Sequence, residues 1–354
     1  MKVVVVGGGA IGMLQARSFA GEGYDVVIVD KSALGREASW AGGGIISPLY
    51  PWRYSEPVTA LALRSQALYP DLVAALHQES GIDPEYSGHG LLMLQVEGKD
   101  QAIRWAAKNG PWLEEIKAAQ LYALEPALGQ GHESSLWMPS VGSVRNPRLL
   151  NALRALMHEH PAIEVIENDG LARFDERGVT LESGKRVDAD RVVFCSGAWT
   201  SSLLPNQRIK IEPVKGQMIV FDAPQGFVNR VVLSDGRYVI PRRDGKVVVG
   251  STLEYCGFDK TTNDEARQSL YGSALALYPE LKRYPVIHQW AGLRPGSPNG
   301  IPSIGPISGY ENVYVNAGHF RNGLVLAPAS VELLSDLVAK RASKIDPKPY
   351  IPSP

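Results

Sequence analysis

The fold is decided by the N-terminal stretch Met1–Gly12, which reads MKVVVVGGGAIG. Within it, Val3–Val6 is a short β-branched run without polar residues, as expected of a strand buried in a parallel sheet. A GxGxxG pattern begins directly afterwards at Gly7, and the next residues, Met13–Ala20, have the composition of a helix. The stretch therefore predicts a strand, a tight glycine turn and a helix.

A second strand and an acidic residue complete this pattern. Asp25–Val29 reads DVVIV, and Asp30 follows it, 18 residues beyond Gly12. This arrangement is typical of a dinucleotide-binding fold, in which glycines let the backbone approach a pyrophosphate and the helix N-terminus favours its negative charge. We expect the Asp30 carboxylate to accept hydrogen bonds from an adenosine ribose and to disfavour the 2′-phosphate of NADP. The motif by itself leaves NAD and FAD open.

A glycine-rich stretch comes next along the chain. Gly35–Ile45 reads GREASWAGGGI, and its run of small residues is too flexible for a packed core element. Such a stretch suits a loop that lies against a flat ring or a phosphate. A plain mobile surface loop is the alternative interpretation.

The composition narrows the classes of function. The 354 residues include 36 Lys+Arg and 37 Asp+Glu, a formal net charge of -1, so the chain has no cationic footprint for nucleic acid or an anionic membrane. The length predicts two domains or one large one. Two cysteines, Cys195 and Cys256, cannot form a disulfide framework or a zinc cluster, and the seven histidines lack metal-ligand spacing. No apolar run is long enough to cross a membrane, and we expect a cytoplasmic protein without a metal.

Further segments carry a resemblance to a known family. They are Asp190–Trp199, which ends in a Ser-Gly turn, and the sequences VKGQM, YVIPRRDGKVVVGST, WAGLRPG and NAGHFRNGLVLAP at 214–218, 238–252, 290–296 and 316–328. Together with GREASWAGGG they make the chain resemble the D-amino acid oxidase superfamily, and within it the glycine oxidases of thiamine biosynthesis. The similarity covers positions 2 to about 339, essentially the whole chain.

The resemblance implies an α/β fold with two interleaved domains. One is a Rossmann-like FAD-binding domain of the glutathione-reductase type, and the other is a smaller α+β substrate-binding domain built on an antiparallel sheet. The implied boundaries are 1–80, 144–208 and 292–345 for the FAD-binding domain, 81–143 and 209–291 for the substrate-binding domain, and 346–354 for an extended tail.

The local sequence agrees with this division. Between 211 and 256 the alternation of residues predicts the strands Gly216–Phe221, Val228–Leu233, Arg237–Pro241 and Lys246–Gly250, with a hairpin turn at Asp244-Gly245. The stretches 60–80, 148–159 and 327–342 look helical. The neighbouring Arg242-Arg243 is expected to be a solvated charge pair on the hairpin, and Cys195 is expected to pack in the core.

Three side chains are the candidate catalytic residues. Arg294 lies between glycine and proline, which predicts a turn, and a guanidinium can hold a carboxylate bidentately where lysine cannot. The resemblance places the substrate carboxylate on Arg294 and lets Tyr238 share it; a purely structural core position is the alternative for Tyr238. Arg321 precedes an apolar helix whose N-terminus can stabilise negative charge on reduced flavin. Arg321 is expected to contact substrate and flavin together, or the flavin alone.

The resemblance also implies a set of FAD-binding residues. They are Gly7, Gly9, Ala10, Ile11, Gly12, Asp30, Lys31, Arg36, Glu37, Ala38, Ser39, Gly42, Gly43, Gly44, Leu171, Ser196, Gly197, Trp199, His319, Phe320, Arg321, Asn322, Gly323, Leu324 and Val325. No cysteine follows Cys256, where sarcosine oxidases carry a covalent flavin link. We therefore expect noncovalent FAD.

The implied activity is oxidative deamination of glycine, with sarcosine and small D-amino acids as further substrates. Hydride passes from Cα to flavin N5, the imine hydrolyses to glyoxylate or another 2-oxo acid and ammonia, and O2 becomes H2O2. The imine would also supply the thiazole of thiamine, and the resemblance implies a homotetramer. Gly44, Gly236 and Leu253 stand where a relative carries methionine or histidine, which leaves the preferred side chain open.

Two alternatives stay open at this point. One is a related FAD-dependent dehydrogenase that acts on a D-amino acid, a secondary amine or a 2-hydroxy acid with another electron acceptor. The other is a flavin-binding protein that has lost its activity.

Overall fold

The computed structural model describes residues 1–352, which form two large sheets and one small sheet. The strands are β1 Lys2–Val6, β2 Asp25–Val29, β3 Leu91–Met93, β4 Glu114–Lys117, β5 Ser134–Met138, β6 Ile163–Ile166, β7 Leu171–Asp175, β8 Gly178–Leu181, β9 Arg186–Asp188, β10 Arg191–Phe194, β11 Glu212–Asp222, β12 Val231–Ser234, β13 Arg237–Pro241, β14 Lys246–Gly250, β15 Val286–Gly296, β16 Ser303–Pro306 and β17 Val313–Ala317. The helices are α1 Ala10–Gly21, α2 Ala38–Ala41, α3 Glu56–Ser80, α4 Lys99–Asn109, α5 Ala118–Leu124, α6 Asn146–Glu159, α7 Thr200–Leu203, α8 Asp264–Leu277 and α9 Gly323–Val338.

The first large sheet has the strand order β16-β17-β10-β1-β2-β6 and is parallel except at β16. Successive strand side chains point to opposite faces. Val3 and Val5 of β1 therefore pack against the layer of α1, α3, α6 and α9, whereas Val4 and Val6 pack toward the small β7-β8-β9 sheet. The sheet is covered on both faces, which explains why β1 is an unbroken valine run.

The second large sheet has the order β15-β11-β14-β13-β12-β3-β5-β4 and is antiparallel except between β12 and β3. Helix α8 covers one face, where Val239 of β13 contacts Leu270 and its neighbours in one hydrophobic cluster. The alternate residues Tyr238 and Ile240 belong to a separate cluster on the opposite face. The strand period thus fixes which side chains of β13 can reach the candidate site.

The chain passes between these sheets several times: β1 and β2 belong to the parallel sheet, β3 to β5 to the antiparallel one, β6 and β10 to the parallel one, β11 to β15 to the antiparallel one, and β16 and β17 to the parallel one. The α/β fold with mixed sheets is therefore confirmed. The boundaries of the two domains stay a prediction.

Most local predictions are confirmed, including β1, β2, β13, β14 and the hairpin turn at Gly245, which has φ +89. The last helix begins four residues earlier than expected, at Gly323, and ends at Val338. Pro328 lies inside it and cannot donate to the Leu324 carbonyl, but the Tyr69 hydroxyl donates to that oxygen at 2.6 Å. A tertiary contact therefore compensates for the proline. The sequence around Pro328 alone does not predict this contact.

The C-terminal tail, predicted to be extended, instead turns at Tyr350. Its backbone N–H donates to the Pro347 carbonyl, its side chain is buried, and its hydroxyl donates to the Pro57 carbonyl at 2.7 Å. The last two residues, 353–354, lie outside the described part of the chain. No helix within residues 1–352 is long and apolar enough to span a bilayer.

Candidate active site

A cavity of about 480 Å³ is lined by residues of both large sheets, and its volume lies in the range of small-molecule sites. We call the part lined by Gly7, Asp30 and Lys31 the dinucleotide end, and the part lined by Tyr238 and Arg294 the substrate end. The cavity therefore joins the two regions that the sequence singles out.

The dinucleotide end is built on the glycine turn between β1 and α1. Gly7 has φ +109, and a Cβ on it would lie 2.5 Å from the Cys195 carbonyl oxygen. A Cβ on Gly12 would lie 1.8 Å from the Gly7 carbonyl oxygen. Gly9 is the N-cap of α1 and supplies no capping side chain. The turn thus leaves a helix N-terminus open to an anion, with no room for side chains.

Asp30 lies beside this turn and also holds it in shape. One carboxylate oxygen accepts the Gly8 N–H at 2.7 Å, and the other accepts the Ser32 N–H at 2.9 Å and the Ser32 hydroxyl at 3.0 Å. The carboxylate still lines the cavity. Asp30 is therefore available to a ribose and is at the same time a structural acceptor.

The same end carries a cation and an indole ring. The Lys31 Nζ lies 3.6 Å from the centroid of the Trp199 ring, and both residues line the cavity. Partial burial, the largest effect on Lys31, lowers the pKa of its amine.

The glycine-rich loop is packed, contrary to the mobile-loop alternative. A Cβ on Gly43 would lie 2.7 Å from the Ile240 side chain, and Gly44 has φ +82 with its Cβ position 2.1 Å from the Val144 carbonyl oxygen. The Arg242 guanidinium donates to the Gly43 and Val144 carbonyls, both at 2.9 Å. The expectation of a solvated Arg242 is therefore wrong, because its guanidinium bonds to one carbonyl of this loop and to one of the neighbouring segment that contains Val144.

Arg242 remains a cation in this position. Burial lowers its pKa to about 10, which keeps the guanidinium charged at neutral pH. Its neighbour Arg243 is exposed, as expected, and pairs with Asp83 at 2.6 Å.

Arg294 lies in the strand β15, so the predicted turn is wrong. β15 pairs with β11 along its length, with Arg294 opposite Val214, and this pairing overrides the local glycine and proline signals. The guanidinium lies over Gly216, where a Cβ would approach Nη2 to 2.1 Å. Nη2 donates to the Ser251 hydroxyl at 2.6 Å, and Nη1 donates to the Thr252 carbonyl at 3.2 Å.

The charge of Arg294 has no carboxylate partner among residues 1–352. Burial, the main effect, lowers its pKa, and the group lines the cavity. The Glu254 carboxylate raises this pKa from a distance but forms its ion pair with Lys215. Buried charges in proteins are normally paired. The missing counter-charge is therefore expected to come from a ligand carboxylate.

Tyr238 is both a core residue of the sheet and a residue of the cavity lining, the two positions that the sequence left open. Its ring is buried in the sheet, and a Cβ on Gly250 would lie 2.7 Å from it. Its hydroxyl lies 3.7 Å from the Met218 sulfur, which is a weak acceptor, and the residue lines the cavity. The hydroxyl can therefore contact a ligand beside Arg294.

Arg321 and the start of α9 border the cavity from the parallel sheet. Arg321 lies in a 3-10 turn that leads directly into α9, and its side chain is exposed without an ion-pair partner in the described chain. Behind it, the buried His319 ring shares a 3.0 Å hydrogen bond with the Ser330 hydroxyl. Burial lowers the pKa of His319 to about 3, so this ring is neutral.

The structure places nearly all predicted site residues in the cavity lining, including Arg294, Tyr238 and Arg321. The exceptions are Ala10, Gly12, Arg36 and Asn322. The Ala10 N–H donates to Ser39 Oγ, Gly12 packs on Gly7, Asn322 is buried behind His319, and Arg36 is exposed to solvent. The functional roles of the whole set stay a prediction.

Sequence reasoning missed several lining residues. Gly216, Met218, Ser251 and Gly292 all lie in segments that carried the resemblance, so their signal was present. Asn146 gave no signal: its side-chain amide donates to the Ser39 carbonyl at 2.7 Å, and its Oδ1 is buried without a partner. Of the three departures noted above, Gly44 lines the cavity, whereas Gly236 and Leu253 do not.

These observations fit a dinucleotide cofactor. The side-chain-free turn at Gly7 and Gly9 suits a pyrophosphate, Asp30 suits a ribose, and the unpartnered Oδ1 of Asn146 can accept a hydrogen bond from a ring N–H. The cavity then continues to the partly buried guanidinium of Arg294, which suits a carboxylate. Among residues 1–352 no group of three or more His, Cys, Asp or Glu side chains is arranged to hold a metal ion. Fold and site together define a dinucleotide-binding oxidoreductase for a small carboxylate substrate.

Comparison with known proteins gives the family. The sequence model of the FAD dependent oxidoreductase family, DAO, matches residues 2–337. The chain belongs to this family, and FAD is its cofactor.

Similar proteins cover almost the whole chain. A relative from Pseudomonas aeruginosa called glycine oxidase is 48% identical over 99% of this chain and 98% of its own. The solved structure of glycine oxidase from Geobacillus kaustophilus superposes with a TM-score of 0.94 at 27% identity, covering 99% of this chain and 98% of that one. The bifunctional protein ThiO/ThiG of Trichormus variabilis is 29% identical over 96% of this chain, which covers 53% of that longer protein.

Proposed function

We propose that the chain is a flavin-dependent glycine oxidase that also accepts sarcosine and small D-amino acids and uses O2 as its electron acceptor. The observation that carries this proposal is the partly buried, cavity-lining Arg294, which forms no ion pair with a carboxylate within the described chain. The glycine oxidases among its relatives support the same substrate class.

Arg294 is proposed to bind the substrate carboxylate. Its Nη2 already donates to Ser251 and its Nη1 to Thr252, so the guanidinium plane is fixed before substrate arrives. The Tyr238 hydroxyl adds a donor from β13. A small amino acid held by its carboxylate has its α-carbon oriented, and orientation supplies much of the acceleration in such reactions.

Bound FAD supplies the acceptor for the hydride that leaves Cα. As the hydride leaves, the substrate nitrogen lone pair forms the C=N bond of an iminium. Water hydrolyses the iminium to a 2-oxo acid and ammonia, or to glyoxylate and methylamine from sarcosine. For glycine the 2-oxo acid is glyoxylate.

The described cavity lining offers no carboxylate or free imidazole as a general base at the substrate end. The only acidic residues in the described lining are Asp30, Glu37 and Glu182, and His319 is neutral and bonded to Ser330. We propose that the amine loses its proton to water, which the positive charges of Arg294 and Arg321 favour. The apparent kcat/KM should therefore rise with pH until the substrate amine is neutral.

The predicted cofactor residues are proposed to divide along the cavity. Gly7 and Gly9 would present N–H groups to the pyrophosphate, Asp30 would bind the ribose, and the N-terminus of α9 would lie beside the flavin ring. FAD would be held noncovalently. The interleaved domain boundaries, a homotetramer and a cytoplasmic location stay predictions.

The product is also proposed to supply the thiazole of thiamine with glycine imine. Support comes from relatives in which a ThiO region similar to this chain is joined to ThiG in one bifunctional protein. The similarity extends over 96% of this chain.

The test is a peroxide assay over glycine, sarcosine, D-alanine, D-proline and a set of L-amino acids. We expect H2O2 and glyoxylate from glycine and no turnover of L-amino acids. Turnover with an artificial dye but none with O2 would support the dehydrogenase alternative. Stoichiometric bound flavin without turnover of any amine or 2-hydroxy acid would support the inactive alternative.

A further inference from the structure

The segment 252–263 connects β14 to α8 and runs from the substrate end of the cavity to the dinucleotide end; we call it the strap. Its first residue bonds to Arg294, and its later residues contact Trp199 and Glu37. We propose that the strap retains FAD by fixing Trp199, Lys31 and Glu37 against the dinucleotide end of the cavity.

The strap is anchored on the antiparallel sheet by a buried lysine. Lys215 of β11 is 3% exposed, and its Nζ donates to the Asp259 carboxylate at 2.7 Å and to the Thr261 carbonyl at 3.1 Å. Its backbone exchanges two 2.9 Å hydrogen bonds with Glu254, whose carboxylate also lies 3.3 Å from the Nζ. A buried charge without these partners is costly, so the strap cannot leave Lys215 cheaply.

Beyond this anchor the strap reaches the other side of the cavity. The Phe258 ring stacks on the Trp199 ring with centroids 5.4 Å apart and planes 28° apart. The Lys31 Nζ lies 3.6 Å from the same Trp199 ring. Phe258, Trp199 and Lys31 therefore form one continuous packed group.

A second contact lies beside this group. The Lys260 Nζ donates to both carboxylate oxygens of Glu37, at 3.0 and 3.1 Å. Glu37 lines the cavity, whereas Lys260 does not.

These contacts divide residues into two kinds. Trp199, Lys31 and Glu37 line the cavity and would touch FAD, whereas Phe258 and Lys260 hold them without lining it. Phe258 and Lys260 are therefore positioning residues. Because the strap is anchored on β11 and its contacts lie near β2 and β10, it links the two sheets beside the dinucleotide end.

The test measures how fast FAD dissociates after dilution, from the rise in fluorescence of free flavin. For Phe258→Ala we expect a rate about threefold to tenfold higher, because an aromatic pair is lost. For Lys260→Gln we expect a dissociation rate about twofold higher, since exposed ion pairs contribute little. Phe258→Tyr should keep the slow dissociation rate of the unmodified protein, because tyrosine retains a ring that can stack on Trp199. Tyr255→Ala is the matched control, because Tyr255 lies in the same strap, is 67% exposed and makes no side-chain hydrogen bond in the described chain.

A second measurement locates the effect. ADP carries the adenosine and pyrophosphate of FAD without the flavin ring, so the dissociation constant of ADP, titrated directly into the Phe258→Ala apoprotein, should rise by about the same factor as the FAD dissociation rate. The melting temperature of the apoprotein and kcat at saturating FAD should stay as in the unmodified enzyme, which separates retention from folding and from chemistry.

Three results would overturn the proposal. The first is an FAD dissociation rate for Phe258→Ala equal to that of Tyr255→Ala. The second is a dissociation constant for ADP that the substitution leaves unchanged. The third is an FAD dissociation rate for Phe258→Tyr as high as that of Phe258→Ala, because the stacked ring would then not be what slows dissociation. Since FAD binding is measured directly, none of these results depends on which amine is the substrate.

Discussion

The two ends of the cavity are built in opposite ways. The dinucleotide end is made mainly of backbone from one continuous stretch, β1, its glycine turn and α1, where side chains are excluded. The substrate end is made of side chains from strands far apart in sequence, with Tyr238 from β13 and Arg294 from β15. We therefore expect the dinucleotide end to be disrupted by substitutions that add a side chain, and the substrate end to lose affinity for substrate when a side chain is removed.

The electrostatics differ in the same way. At the dinucleotide end the Asp30 carboxylate is already hydrogen-bonded to Gly8 and Ser32. At the substrate end Arg294 has neutral partners, carbonyl and hydroxyl oxygens, and its charge is left for the ligand. The first end is largely complete before the cofactor binds, and the second is completed by substrate.

The largest expected effect comes from adding one methyl group at the dinucleotide end. In Gly12→Ala the new Cβ would lie 1.8 Å from the Gly7 carbonyl oxygen, so α1 must move away from the turn. We expect a loss of about 4 kcal/mol or more in the free energy of unfolding, or failure to fold. Thermal or urea unfolding measures it.

Gly21→Ala is the matched control in the same helix. A Cβ on Gly21 meets nothing within 4 Å, and alanine favours a helix, so the free energy of unfolding should rise by about 0.5–1 kcal/mol. Equal effects of the two substitutions would show that the turn is not sterically closed.

Arg294→Ala tests the other end. Loss of a charged group that pairs with the substrate carboxylate inside the site costs about 2–5 kcal/mol, which is roughly 30-fold to several-thousand-fold in kcat/KM. We expect the effect mainly in the KM for glycine, with FAD still bound at full occupancy. Peroxide kinetics and the flavin absorbance measure the two quantities on one sample.

Arg294→Lys gives the conservative comparison. Lysine keeps the charge but has no planar fork, so we expect only partial recovery of the KM. Normal glycine kinetics in Arg294→Ala would contradict the carboxylate assignment.

The contrast between the ends also explains how much the sequence could predict. The glycine turn, both flanking strands and Asp30 lie within one short stretch, where local signals add up, and the structure agrees with all of them. Arg294 was chosen correctly as a cavity residue but was placed in a turn. Its strand depends on pairing with β11, which lies more than 70 residues away and which no local pattern encodes.

The prediction for Arg242 was wrong for a related reason. A charged pair on a hairpin predicts solvent exposure, but the guanidinium binds two carbonyls of segments that meet it only in the folded chain. The same holds for Asn146, which begins α6 and reaches the cavity through the Ser39 carbonyl. Side chains whose role depends on long-range contacts leave no trace in their neighbourhood in the sequence.

Asp30→Ala should have a smaller effect, because it removes part of the dinucleotide end without adding a clash. The ribose loses an acceptor and the Gly8 N–H loses its 2.7 Å partner. Hydrogen bonds to charged groups contribute about 1.5–3 kcal/mol, so FAD should bind roughly 10-fold to 100-fold more weakly. FAD titration of the apoprotein, followed by fluorescence, gives the affinity.

Asp30→Asn separates the loss of the ribose acceptor from the loss of the partner of the Gly8 N–H. Its amide oxygen can still accept the Gly8 N–H, so the glycine turn keeps this bond. The amide NH2 group replaces the oxygen that accepts from Ser32, and the charge-assisted bond to the ribose is weakened. An FAD affinity unchanged in both variants would remove the ribose role of Asp30.

Tyr238→Phe should have the smallest effect and isolates one oxygen atom at the substrate end. The ring is buried against Gly43 and Gly250, so phenylalanine keeps the packing and the stability should stay within about 0.5 kcal/mol. In the protein alone the hydroxyl lies 3.7 Å from the Met218 sulfur and interacts with Arg294. The guanidinium keeps its bonds to Ser251 and Thr252 when the hydroxyl is removed. A neutral hydrogen bond to substrate contributes about 0.5–1.5 kcal/mol, which predicts a KM for glycine raised about threefold to tenfold at unchanged FAD affinity. An unchanged KM would make Tyr238 a core residue and leave Arg294 as the sole carboxylate ligand, whereas weaker FAD binding would mean that the two ends are not independent.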